Sequence, residues 1–178
     1  DACCGLLMAS QGEARFMGRA WDEVGSEEAD AMRGMIGHLF DTGAWLQHLS
    51  VAENVLLQQE HHTHRPDREL RGQAARLANR FGLPGLPTVP PNLLSRQDLR
   101  RAGLVRAFLG APRLIILQQP LRDMPDLVAS LLSAITEAQQ HATAVLWLTA
   151  SPAVTNQLSH MCDQRGQIRQ SGQLEMFS

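Results

Sequence analysis

The sequence predicts an α/β protein with a mostly parallel sheet and an additional group of helices. Two apolar runs, residues 114–117 and 143–149, are each long enough for one buried strand, and a helical segment separates them. This order is typical of parallel sheets because the helix provides the crossover connection. Residues 50–109 show helical patterns and loops only. We therefore expect an α/β core at residues 1–49 and 110–178 and a helical subdomain at residues 50–109.

Composition limits the classes of protein to which the chain can belong. Its 178 residues, 44% of them hydrophobic, suit one domain with a buried core. A formal net charge of −2 argues against a general nucleic-acid or anionic-membrane surface. No apolar run approaches a membrane span, and no signal peptide is visible. The three cysteines lack CxxC spacing, which indicates reduced thiols in a cytosolic protein.

The first half of the chain predicts short strands followed by helices. The elements before residue 50 are an edge strand, a helix capped by Ser26 and a second strand, at residues 14–17, 21–33 and 35–40. Ser50 and Glu53 form the S-x-x-E pattern of a capping box, so a helix begins at residue 51. A polar loop at residues 61–66, an amphipathic helix at 67–81 and a proline-rich loop at 82–92 follow.

The second half begins with a basic helix opened by Ser95 and a turn at residues 110–112. The strand at 114–117 comes next, and then a helix, a second buried strand and a helix at residues 126–140, 143–149 and 153–160. A polar hairpin turning at Gly166 and the start of a last helix at residues 174–177 complete the chain.

The strand at residues 114–117 ends in two amides and a proline, Gln118, Gln119 and Pro120. A helix that leads through a short turn into a buried strand ending at a polar pair is typical of one half of an α/β nucleotide site. Here the polar pair carries amides where metal binding and proton transfer need carboxylates.

Five segments, in the same order and at matching spacing, resemble the ATP-binding cassette of ABC transporters. They are GLLMASQGEARFMGRAW, IGHLFDTGAWLQHLSVAENV, LLSRQDLRRAGLVRAFLGAPRLIIL, LWLTASPAV and MCDQRGQIRQSGQLEMF. In that order they resemble the segment after the phosphate-binding loop, the Q-loop region, the signature helix with the Walker B strand, the switch segment and the closing hairpin. Within the family, the Gly43-Ala44 pair and the LSVAENV helix look most like the cassettes of Mce-type phospholipid transporters.

The resemblance implies a P-loop NTPase-like fold and a cytoplasmic subunit held at the inner face of the membrane by a permease partner. A second cassette, identical or different, is a further implied partner. The contact with the permease would lie just after the Q-loop, at Gly43, Ala44, Trp45 and Leu46. Trp45 suits either an anchor for that contact or a packed core position.

At the family's catalytic positions this sequence departs from the family pattern. The Walker B aspartate, catalytic glutamate, switch histidine and Q-loop glutamine are represented by Gln118, Gln119, Ala150 and Asp41. Arg96 and Gln97 replace the two signature glycines, whereas the signature serine is retained as Ser95. By the resemblance, the phosphate-binding loop with its GKS or GKT ending would lie before Asp1.

These replacements predict the loss of hydrolysis. Magnesium prefers anionic oxygen, and Gln118 offers only a neutral one. The Gln119 amide cannot accept a proton from an attacking water near neutral pH. Ala150 lacks the side-chain group expected to contact the γ-phosphate. The side chains that replace the signature glycines hinder the approach of a phosphate to the backbone N–H groups. We therefore expect no catalytic residue and no metal ligand here, and ATP with magnesium only if an upstream phosphate-binding loop exists.

Other polar clusters have both a functional and a structural interpretation. His61, His62 and His64 suggest a metal clip, but a solvated loop is the favoured interpretation because no matching ligand set accompanies them. The arginines of the basic helix suggest a nucleic-acid patch, yet a solvated or ion-pairing face fits the acidic chain better. They are Arg100, Arg101 and Arg106.

Two functions follow from these observations. The first is a catalytically degenerate cassette with a structural or regulatory role in a transporter-like complex, for which the Mce-type resemblance suggests a lipid cargo. The second is a divergent ATP-binding subunit that works with an active partner cassette. The residues before Asp1 would discriminate between them, because an intact phosphate-binding loop there favours ATP binding.

Overall fold

The computed structural model describes residues 1–9, 11–42, 44–169 and 171–177. These residues divide into two compact units, Asp1–Leu148 and Thr149–Ser178. The first unit begins with a 3₁₀ turn at Ala2–Cys4. An antiparallel hairpin of β1 (Arg15–Phe16) and β2 (Arg19–Ala20) follows, and then helix α1 (Ser26–Arg33). The predicted Ser26 cap is wrong. Ser26 is the first residue of α1, and Gly25 precedes it without a side-chain cap.

A three-stranded parallel sheet forms the centre of the first unit. Its strands are β3 (Ile36–Leu39), β4 (Leu114–Gln118) and β5 (Ala144–Leu148), in the order β3-β4-β5. The prediction of an α/β fold with a parallel sheet is thereby confirmed. The expectation that residues 143–149 form a fully buried strand is wrong, since the side chains of β5 are half-buried or exposed. Among the described residues, β5 pairs with β4 only and lies at the edge of the sheet.

Four longer helices belong to the first unit. They are α2 (Val51–His62), α3 (Asp67–Arg80), α4 (Arg96–Phe108) and α5 (Val128–Gln140). The Ser50–Glu53 capping box is present in full, because the Ser50 hydroxyl accepts from the Glu53 backbone N–H and the Glu53 carboxylate accepts from that of Ser50. The predicted loop at residues 61–66 begins later than expected, since His61 and His62 extend α2.

Alternate residues of β4 face two different apolar clusters, as the period of a strand requires. Ile115 and Leu117 belong to a large cluster with side chains from α2, α3, α4 and α5. Ile116 belongs to a smaller cluster with Cys4 and Met32. Helix α4 approaches β3 very closely, because a Cβ at Gly37 would lie 1.8 Å from the Ala107 carbonyl oxygen. Glycine is therefore the residue that fits at position 37.

The second unit consists of a short helix, a 3₁₀ turn and a hairpin. Helix α6 (Pro152–Leu158) starts after Ser151, whose hydroxyl accepts from the Val154 backbone N–H. Strands β6 (Arg165–Ile168) and β7 (Leu174–Phe177) pair in antiparallel fashion. Two predictions are wrong here. Residues 174–177 form a strand and not a helix, and Gly166 lies within β6, so the connection between the strands falls after Ile168.

Candidate functional site

The carboxyl ends of β3 and β4 meet where the sequence analysis places the nucleotide chemistry. We call Asp41, Arg100, Gln118, Gln119 and Arg122 the strand-end corner. The Gln118 side-chain oxygen accepts a hydrogen bond of 2.9 Å from the Asp41 backbone N–H. The Gln119 backbone N–H donates to the Leu148 carbonyl, which ties the corner to the end of β5. Three of the predicted site residues, Asp41, Gln118 and Gln119, are therefore brought together.

Arg100 reaches this corner from the second turn of α4. Its Nη1 donates to the Asp41 carbonyl at 3.0 Å, and its Nη2 donates to the carbonyls of Gln118 at 2.8 Å and of Gln119. Only 12% of the Arg100 side chain is exposed. Burial lowers the pKa of Arg100, and the nearby Asp41 acts in the opposite direction. The guanidinium remains charged near neutral pH because the ordinary pKa of arginine lies far above neutrality.

Arg122 provides a second cation at the corner. Its Nη1 lies 2.8 Å from Asp41 Oδ1, and Arg100 Nη2 lies 3.7 Å from the same oxygen. These contacts are ion pairs without hydrogen-bond alignment at Oδ1. The loop after β4 turns tightly, with φ of 49° at Gln119 and 60° at Asp123. That turn brings Arg122 back over Asp41, which is 35% exposed.

The signature-like residues lie at the start of α4. The Ser95 hydroxyl accepts from the Asp98 backbone N–H at 3.0 Å and donates to the Asp98 carboxylate at 2.8 Å, so it serves as the helix cap. Ser95, Arg96 and Gln97 are exposed. The Gln97 amide donates to the Asp123 carbonyl at 3.3 Å, which joins this tip to the loop after β4.

The segment after Asp41 is held to the helices by buried polar groups. Asn54 of α2 accepts from the Leu46 backbone N–H and donates to the carbonyls of Leu46, Leu49 and Ser50. Arg106 of α4 donates to the Ala44 carbonyl at 2.6 Å. Its guanidinium carbon also lies 4.6 Å from the centre of the Trp45 ring.

Two of the predicted partner-binding residues differ in exposure, and one lies outside the described residues. Trp45 is half-buried against the large core cluster, whereas 43% of Leu46 is exposed. Gly43 is the residue that lies outside. Ala150, the predicted switch position, is an exposed residue of the second unit.

Arg100, Arg101 and Arg106 of α4 each contact other groups of the described part of the chain. Arg101 pairs with Asp126 at 2.6 Å and donates to the Phe81 carbonyl. Burial lowers the pKa of Arg106 to about 10. Of the two interpretations, a nucleic-acid patch and a solvated or ion-pairing face, the second fits these contacts, through its ion pairs and hydrogen bonds.

A cavity of about 500 Å³ adjoins Ala44 and Leu57. Cys4 lines this cavity, and its sulfur lies 3.8 Å from Nδ1 of His38. Burial lowers the pKa of His38 to about 4 and raises the pKa of the Cys4 thiol. Both groups are therefore neutral at pH 7, which excludes an activated thiolate. Basic groups dominate the polar lining, with Arg33, Arg106, His61 and His62 and no acidic residue among the described side chains.

No group of three or more His, Cys, Asp or Glu side chains suited to a metal ion occurs in the described part of the chain. The interpretation of His61, His62 and His64 as a metal clip therefore gains no support. The rings of His61 and His62 pack edge-to-face at the end of α2. Sequence reasoning also missed the roles of Arg100, Arg122 and Asn54. The arginines were visible only as basic residues near the amides, and Asn54 only as part of a capped helix.

Comparison with known sequences identifies the family. The model of the ABC transporter family matches residues 1–122. The ATP-binding protein MlaF of an intermembrane phospholipid transport system from Haemophilus influenzae is 31% identical over 138 residues, covering 75% of this chain and 52% of that protein. The thiamine import ATP-binding protein ThiQ of Cereibacter sphaeroides is 30% identical over 165 residues, covering 89% and 67%. The chain thus spans about half the length of the first of these relatives.

Solved structures show the same fold. A dimeric ATP-binding cassette, MJ0796, bound to ADP and phosphate superposes with a TM-score of 0.75 at 20% identity, covering 85% of this chain and 68% of that one. An ATP-binding subunit of an ABC transporter gives a TM-score of 0.76 over 91% and 65%. Family model, sequence relatives and fold agree, and they confirm the resemblance seen in the sequence. The relatives named here are ATP-binding proteins, and the chain belongs to the ABC transporter family.

Proposed function

We propose that this chain is a catalytically degenerate ABC cassette with a structural or regulatory role in a transporter complex. The strand-end corner carries this proposal. Gln119 stands where the family has its catalytic glutamate, and an amide does not accept a proton near neutral pH. The side-chain oxygen of Gln118 already accepts from the Asp41 backbone N–H. Neither amide is suited to activate a water molecule.

A permease subunit is the proposed partner, at the segment that contains Gly43, Ala44, Trp45 and Leu46. Support comes from the exposed Leu46, from the half-buried Trp45 and from the basic cavity beside Ala44. An apolar helix with acidic residues would complement such a surface. No helix in the described ranges is long and apolar enough to cross a membrane. We propose a cytoplasmic location at the inner face of the membrane, through the partner.

Phospholipid is the proposed cargo of the complex, because MlaF proteins of intermembrane phospholipid transport are among the relatives. We propose in addition that residues 50–109 act as a helical subdomain beside a core of residues 1–49 and 110–178. The capped start of α2 and the capped start of α4 lie within that helical segment.

A second function has its own supporting observation. Ser95, Arg96 and Gln97 are exposed at the start of α4. In a pair of cassettes, such a tip is available to contact a nucleotide held by an active partner. The chain would then be an ATP-binding subunit of a heterodimer, and its own corner would contribute no turnover.

An ATPase assay on the full-length protein tests the first function. We expect no magnesium-dependent phosphate release above that of a Gln119→Ala variant prepared in the same way, because position 119 contributes no base. Turnover that the variant loses would overturn the proposal. Magnesium-dependent turnover that both preparations share and that copurifies with the protein would overturn the proposal as well. Adding the partner cassette distinguishes the second function, which requires that Ser95→Ala in this chain lower the rate of the pair.

A further inference from the structure

We propose that the guanidinium groups of Arg100 and Arg122 occupy the place of a divalent cation at the strand-end corner and close it to metal ions. The proposal extends the degenerate function proposed above and rests on it. Cassettes of this fold are expected to hold magnesium through a Walker B carboxylate and ordered water. The fit of that ion to the residues at this corner can be judged oxygen by oxygen.

Five oxygens at the corner already face a hydrogen-bond donor or a guanidinium group. Arg100 donates hydrogen bonds to the three carbonyls of Asp41, Gln118 and Gln119. The side-chain oxygen of Gln118 accepts from the Asp41 backbone N–H. Oδ1 of Asp41 is buried and lies 2.8 Å from Arg122 Nη1, in an ion pair without hydrogen-bond alignment. A metal ion that used one of these oxygens would first have to displace the donor or the guanidinium that faces it.

Charge excludes a divalent cation as well. Two guanidinium groups approach the same oxygen of Asp41, at 2.8 and 3.7 Å. A divalent cation beside them would be repelled by two like charges, and burial of Arg100 weakens the screening by water. The residues present therefore do not fit magnesium for two independent reasons: the donors that already face the oxygens, and the positive charge of the two guanidinium groups.

Arg100 can replace the structural part of the ion's role. A guanidinium is planar and has five N–H donors in fixed directions, so one group can bridge several carbonyls. Here it joins the ends of β3 and β4, because Asp41 follows β3 while Gln118 ends β4. Unlike a bound ion, this cation is part of the chain and does not exchange. The corner should keep one arrangement at every magnesium concentration.

Binding of Mn²⁺ to the full-length protein, followed by the electron paramagnetic resonance signal of free Mn²⁺, tests the proposal. Two triple variants of equal net charge are compared. Gln118→Asp, Gln119→Glu and Arg122→Ser together restore carboxylates and remove one guanidinium. The matched control combines the same two acids with Arg113→Ser, since Arg113 is exposed and precedes the opposite end of β4. We expect Mn²⁺ to bind at least tenfold more tightly to the Arg122→Ser combination.

Three results would overturn the proposal. One is Mn²⁺ binding by the wild type that Asp41→Asn abolishes. The others are equal binding by the two triple variants, and no gain by either. Thermal unfolding verifies that each variant is folded, and Arg122→Gln replaces Arg122→Ser if the latter is not. Failure here is distinguishable from failure of the proposed function, which is judged by phosphate release from the unmodified protein.

Discussion

Substitution of Asn54 by alanine should release the segment that follows Asp41. Asn54 is 4% exposed and bonds to Leu46, Leu49 and Ser50, on the segment proposed to meet the partner. Its amide has two N–H donors and one engaged oxygen, so about three net hydrogen bonds are lost at about 1 kcal/mol each. We expect the free energy of unfolding to fall by about 2 to 3 kcal/mol, the lower value applying where water reaches the freed groups.

Urea unfolding and amide hydrogen exchange measure the two parts of this prediction in the full-length protein. The Leu46 amide should exchange roughly 100-fold faster in Asn54→Ala if the whole loss is local, since 1.4 kcal/mol corresponds to tenfold. Asn79→Ala is the matched control, because Asn79 is exposed on α3 and alanine favours the helix. A loss below about 0.5 kcal/mol, with Leu46 still protected, would refute the reasoning.

Two further predictions concern β3. Gly37→Ala should lower the free energy of unfolding by about 3 kcal/mol or more, because the new Cβ would meet the Ala107 carbonyl oxygen and force α4 away from the strand. Urea unfolding measures this loss. Gly85→Ala is the control, because nothing lies within 4 Å of a Cβ at position 85. His38 has its pKa lowered from 6.5 to about 4 in the folded protein. The neutral His38 therefore contributes up to about 3 kcal/mol to the free energy of unfolding above pH 6.5, and this contribution is lost as the pH falls towards 4. His38→Phe should flatten the pH dependence of the free energy of unfolding between these two pH values.

The controls for these two differ. A loss for Gly37→Ala no larger than that for Gly85→Ala would contradict the close approach of α4 to β3. For the pH series, the wild type is the reference. If His38→Phe gives the same pH dependence as the wild type between pH 6.5 and 4, burial of His38 has no energetic consequence.

Local signals in the sequence predicted the elements that position the site. The capping box at Ser50 and the cap at Ser95 depend on hydrogen bonds within four residues, so the residue types alone fix where α2 and α4 begin. The apolar run before Gln118 identified β4 because the turn at residues 110–112 and Pro120 bound it on either side. Residues 174–177 have no such signal. Their strand is set by pairing with β6 across the connection between the strands, and a short apolar run does not distinguish a strand from a helix.

The contacts that decide the chemistry are not local. Arg100 meets carbonyls that lie 59, 18 and 19 residues away in the chain. Periodicity places Arg100 on a helix and cannot say which strand ends its side chain will reach. The amides at Gln118 and Gln119 were therefore recognised from the sequence as an absence of carboxylates, while the guanidinium groups around them became apparent only from the fold.

The close approach at Gly37 has a mechanical consequence. Backbone touches backbone where β3 meets Ala107, with no side chain between them to deform. Sliding α4 along the strand would push a carbonyl oxygen into the main chain of β3. We therefore expect the helix and the strand to move as one rigid body. Ser95 lies at the start of α4, and Ala44 is hydrogen-bonded to the same helix through Arg106. We therefore expect a push on the segment after Asp41 to reach Ser95 through α4.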